Sequence, residues 1–150
     1  MKLPNGITGF YDSKTNIPPQ IDGKQFQQLC FDFASRNRGK VVDFITPQYP
    51  SNFYYAQVDV LGNLFYILLN EHYPYLAFAS AVEFGNIKFI DRPVLNEQFS
   101  SFYRILGVGK LNVPLNQILI KKTELNSAEL EQIVYWKPET VGQIIFNHWD

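Results

Sequence analysis

The chain has 150 residues and a formal charge of −1, with 18% of its residues charged against 16% aromatic. A domain of this length buries about two thirds of the surface its unfolded form exposes, which argues against disorder and against any need for staples. With no block of basic charge, nothing attracts a nucleic-acid backbone or an anionic membrane, and the single cysteine, Cys30, excludes an internal disulfide and a multi-cysteine metal site.

Pro4, Gly6, Gly9, Pro18 and Pro19 make residues 1–21 an irregular lead-in. They also interrupt the apolar run that a signal peptide requires, and no later run approaches the length of a membrane span. A cytoplasmic protein is expected. In IDGKQFQQLCFDFASRNRG, Asp22 and Gln25 have capping-box spacing, and Phe26, Leu29, Cys30, Phe33 and Ala34 form one stripe that Gly39 ends. This predicts an amphipathic helix with Cys30 on its buried side.

Residues 40–46, KVVDFIT, read as a strand. YYAQVDV and LFYILL then flank Gly62 and Asn63, a pair suited to a two-residue hairpin turn. That turn would set Leu61 opposite Leu64, Val60 opposite Phe65 and Asp59 opposite Tyr66. Residues 64–69 are apolar on both faces, as in a central strand covered on each side. YLAFAS is a fourth strand, and AVEFGNIKFID repeats the hairpin chemistry around Gly85 and Asn86, with Glu83 facing Lys88.

Asp91 and Pro93 announce a helix carrying Leu95, Phe99, Phe102, Tyr103 and Leu106 at helical spacing, which GVGK breaks. LNVPLNQILIKK reads as a further strand. In LNSAELEQIVYW, Asn126 and Glu129 have capping-box spacing, Leu125 and Leu130 staple spacing, and Pro138 stops the helix near Trp136. Thr140 and Gln143 open a last helix over residues 141–149, apolar most of the way round, so the end of the chain is expected to dock as a plug of the core. The architecture expected is α+β in a single domain, residues 1–150: a mainly antiparallel sheet of five or six strands with three or four helices packed chiefly on one face.

No motif carries recognised chemistry. The zinc spacings and the G-x-S-x-G turn are absent, and GVGK follows a helix instead of a strand, so no catalytic residue, metal or cofactor is assigned. Asp43 and Asp59 interrupt apolar strands and, with Glu83 and a divalent ion, form one alternative: a small hydrolase or nuclease, or one using His72 as base. Against it stands plain alternation, with each acid on a wet strand face. Cys30 reads as inert core and His148 as a packed histidine. A third alternative is a carrier of a small apolar ligand held between sheet and helices. The aromatic excess suits anchors at an interface, and Tyr54, Tyr55, Asp59, His72, Tyr73 and Tyr75 are the candidate partner-binding residues.

The ending Y-W-K-P-x-T-x-G-x-I-I-F-N-x-W-D, from Tyr135 to Asp150, together with LPNGITGF at residues 3–10, resembles a group of short, uncharacterised bacterial proteins. Several of these are thought to act as immunity partners in toxin systems. The resemblance covers both ends better than the middle and implies a non-enzymatic protein-interaction module whose partner is a toxin. It transfers no catalytic residue.

Overall fold

The computed structural model describes residues 2–83, 85–116 and 123–150. Five strands run in sequence order across one antiparallel sheet: β1 (Lys40–Ile45), β2 (Phe53–Val60), β3 (Asn63–Asn70), β4 (Tyr75–Glu83) and β5 (Asn86–Ile90). A sixth, β6 (Arg104–Ile105), pairs parallel to the start of β4. The helices are α1 (Gly23–Arg36), α2 (Glu97–Ser100), α3 (Val108–Leu111), α4 (Ser127–Trp136) and α5 (Val141–Ile145). The expected α+β class with a mainly antiparallel sheet holds.

α1 forms as its pattern requires. The Asp22 carboxylate accepts the Gln25 amide at 3.1 Å, and Phe26, Cys30, Phe33 and Ala34 are buried. They share a core with Val58, Phe65, Ile67 and Phe78 of the sheet and with Phe99 and Tyr103. The phenylalanines meet edge-on or tilted, Phe33 with Phe99 at 5.1 Å and Phe65 with Phe78 at 6.1 Å, geometries that suit the ring quadrupole. Much of the aromatic excess is therefore internal glue.

The second face is covered as well. Leu68, Ala77 and Ala79 of the sheet pack in a core with Leu3, Ile7, Leu111, Ile133, Ile144, Ile145, Phe146 and Trp149. The helices, expected chiefly on one face, thus divide between the two: α1 and α2 on one, α3 to α5 on the other. Because β3 is apolar on both sides, one layer of helices would leave Leu68 in water.

Both hairpins turn one residue earlier than expected. Val60 pairs with Asn63, so Leu61 and Gly62 form the turn with φ of 55° and 75°, and the Asn63 side chain donates to the Leu61 carbonyl at 3.1 Å. Asp59 therefore faces Leu64, and Gln57 faces Tyr66. Each partner moves by two residues, which keeps every side chain on its expected face. In the second hairpin Glu83 faces Asn86 and Lys88 faces Ala81, so the expected Glu83–Lys88 pair does not form.

The helix expected from Pro93 to Leu106 shortens to a 3-10 turn at Pro93–Leu95 and the single turn of α2. Leu95, Phe99 and Tyr103 enter the first core, but Leu106 enters the second. The chain must pass the sheet edge between them, and it does so as β6, with the Arg104 and Leu106 amides donating to the Pro74 and Leu76 carbonyls. The strand expected within LNVPLNQILIKK falls largely on residues 117–122, outside the described residues. Leu130, expected to staple to Leu125, is 36% exposed, while Leu125 packs against the second core. The closing helix ends at Ile145, and extended chain carries Phe146, Asn147 and Trp149 into the core, so the plug forms with a shorter helix than expected.

Candidate functional site

The six candidate partner-binding residues do not form one surface. Tyr54 packs on Phe26 and Phe44 in the first core, while Tyr55 points to the other face beside Phe53 and Tyr66. Burial, then the nearby Glu71 and Asp22 carboxylates, hold the Tyr54 phenol above its ordinary pKa. Asp59 is exposed near the end of β2, opposite Lys40 of β1. Only His72, Tyr73 and Tyr75 lie together, at the β3–β4 turn. Tyr73 and Tyr75 stack at 6.2 Å, and the Tyr73 hydroxyl donates to the Asn5 carbonyl. His72 is buried, with Nδ1 2.7 Å from the Pro19 carbonyl, so this nitrogen is the donor, and Nε2 3.4 Å from the Glu71 carboxylate.

The acids offered as a metal set do not converge. Asp43 accepts the amide of its neighbour Phe44, and among the described residues no group of three or more His, Cys, Asp or Glu side chains is placed to hold an ion. Cys30 is fully buried, which pushes its thiol pKa up and leaves it protonated.

What the structure does gather is the pair of terminal motifs. Glu129, with no exposed surface, completes the capping box with Asn126 and also reaches across to the opening segment. Its carboxylate accepts the Gly6 amide at 2.7 Å, the Thr8 amide at 2.9 Å and the Thr8 hydroxyl at 2.6 Å. Three buried asparagines continue the join. The side-chain amides of Asn52 and Asn70 each donate to both the Ile7 and the Ile145 carbonyls, and the Asn52 side-chain oxygen accepts the Asn147 amide at 2.8 Å. Buried polar groups have to be paired, and here they pair with the backbone of both ends of the chain. Capping-box spacing singles out Glu129 only as a cap; nothing in the sequence marks its long-range partners.

The closing motif also lines a pocket. α4 stops where Lys137 takes the left-handed conformation (φ 51°) ahead of Pro138, and Thr140 begins α5. The chain then turns back so that the Trp149 ring lies parallel to that of Trp136, 6.5 Å apart. These two rings, with Phe89, Phe146, Gln143 and His148, line a cavity of about 240 Å³ between β5 with the turn before it and the α4–α5 corner. Gly142 lets α5 sit close to its neighbours. A Cβ there would fall 2.6 Å from the Phe89 ring and 3.0 Å from the Leu111 carbonyl oxygen. Burial lowers the His148 pKa and favours its neutral form.

On the outer side of α4, Val134 and Tyr135 are 74% and 75% exposed, and the Tyr135 ring meets Trp136 edge-on at 5.2 Å. The exposed Tyr135 ring thus abuts Trp136 of the pocket lining. No described helix is long and apolar enough to cross a membrane. Compared with protein-family models, with curated proteins and with solved structures, the chain has no match in any of the three.

Proposed function

We propose that the chain is a non-enzymatic protein-interaction module of the immunity type, which occludes a toxin partner in the reducing cytoplasm. The observation that carries this reading is the solvent-exposed Tyr135 ring in contact with Trp136, beside a pocket lined by both tryptophans of the chain. Tyrosine and tryptophan beside a pocket are the usual energetic centres of protein interfaces, and exposing them to water is unfavourable unless something covers them. Tyr135 and most of the pocket lining lie within the motif, residues 135–150, that resembles short bacterial proteins of which several are thought to be immunity partners. At the β3–β4 turn Tyr73 bonds the chain's own opening segment and Tyr75 stacks on Tyr73, so the binding face is moved to the α4–α5 corner.

Co-expression with the product of the neighbouring gene tests the reading. A stoichiometric complex, with relief of any toxicity of that product, is expected, and Tyr135→Ala with Val134→Ser should weaken the complex at least about tenfold, since hot-spot truncations cost ~1–2 kcal/mol or more each. No complex, or one indifferent to both substitutions, would remove it.

A further inference from the structure

The pocket at the α4–α5 corner has a lining with a definite chemical preference. Among its described lining residues there is no Lys, Arg, Asp or Glu, so an ion entering it would lose hydration without gaining a counter-charge. Its walls are aromatic, with Trp136 and Trp149 parallel and Phe89 and Phe146 in contact at 5.8 Å, which favours a flat ring over a branched aliphatic group. Its polar groups are the amides of Asn86, Asn112, Gln143 and Asn147, the Thr140 hydroxyl and the His148 imidazole, which burial keeps neutral, a set suited to a phenol or an indole N–H. About 240 Å³ accommodates one such ring with room for a bridging water and is small for a larger ligand. The exposed Tyr135 ring touches Trp136 of the lining, and a free small molecule filling the cavity would leave that ring in water, whereas a protein covers it while inserting one side chain.

We infer that this pocket receives an uncharged aromatic side chain, a tyrosine above all, of the protein partner. The inference rests on the interaction reading given above. It names the anchor by which the partner is gripped.

Both tryptophans of the chain line the pocket, so their two indole N–H resonances in a ¹H–¹⁵N spectrum report on its occupancy. The probe is p-cresol, the side chain of tyrosine, with tyramine and 4-hydroxyphenylacetate as cationic and anionic counterparts. p-Cresol should shift both indole signals saturably with a midpoint in the millimolar range, and the charged analogues should need concentrations at least about fivefold higher. Asn112→Phe, at an exposed position of the lining, should fill the cavity and abolish the shift; Asn86→Phe, also exposed in the lining, does the same should the first variant not fold. Indole signals unmoved by p-cresol, or charged analogues that bind equally well, overturn the inference, and if the co-expressed complex still forms, the interaction reading survives. p-Cresol binding with no complex overturns the partner as the source of the ring. A small molecule retained through purification and seen by native mass spectrometry overturns it as well, in favour of a resident ligand.

Discussion

Replacing Glu129 with alanine removes the acceptor of four donors at once: the amides of Gly6, Thr8 and Asn126 and the Thr8 hydroxyl, all between 2.6 and 3.2 Å. A buried donor left without a partner costs about 1–3 kcal/mol. Water entering the vacated space satisfies some of them, so with about half left wanting the loss comes to roughly 3–5 kcal/mol. A domain of this size has on the order of 5–15 kcal/mol in total, so the variant should be marginal at 37 °C. In urea the midpoint should fall by roughly 1–2 M. Hydrogen exchange supplies the local readout, because the Gly6 and Thr8 amides should lose protection before the strands do. Thr8→Val alone should cost about 1 kcal/mol and add little on top of Glu129→Ala, since both act on one network. A fall of less than about 1 kcal/mol with the Gly6 and Thr8 amides still protected would refute the reasoning.

Three further outcomes are expected. The Tyr103 hydroxyl is buried with no hydrogen-bond partner among the described residues, so Tyr103→Phe should be neutral or stabilising by up to about 1 kcal/mol in thermal or urea unfolding. Leu61 is 62% exposed with φ of 55°, a conformation in which Cβ crowds the carbonyl oxygen at a cost of about 1 kcal/mol and which Asn eases by bonding the local backbone; Leu61→Asn should therefore raise the melting temperature by a few degrees, about 0.5–1 kcal/mol. Burial depresses the His148 pKa from its ordinary value of 6.5, so between that value and the folded one the unfolded chain binds the extra proton. Stability should therefore be full above about pH 6.5 and decline as pH falls below it, and His148→Gln should flatten that part of the profile of melting temperature against pH.

How far the sequence foretold this molecule varied with the reach of the interaction. α1, the two hairpins and the Asn126–Glu129 box depend on residues a few positions apart, and their spacing is enough to place them. Even so, each hairpin is displaced by one residue, because Gly62 and Gly85 serve equally well at either position of a left-handed turn. The helix expected up to Leu106 failed for a different reason. Helical spacing shows that a residue is apolar but not which face of the sheet it will meet, and Leu106 lies across the sheet from Tyr103. The site was the least legible part. Aromatic density drew attention to Tyr54, Tyr55, Tyr73 and Tyr75, yet those rings are largely occupied with the protein's own side chains and backbone. Asn52, Asn70 and Asn147 carry no signal of their own, since an amide that will bond to a distant carbonyl reads like any surface asparagine.

The bond between Asn147 and the Thr8 carbonyl spans 139 positions. Residues 3–10 are made early and meet Asn52, Leu68 and Asn70 of the sheet midway, yet the part of the Leu3 and Ile7 core that residues 144–149 supply is missing until those emerge. The hairpins can assemble meanwhile, but the second face of the sheet closes only once residues 144–149 are available, in a late step that unites the two motifs. Any truncation or bulky fusion that hinders the tail from seating would for that reason be felt first at the head.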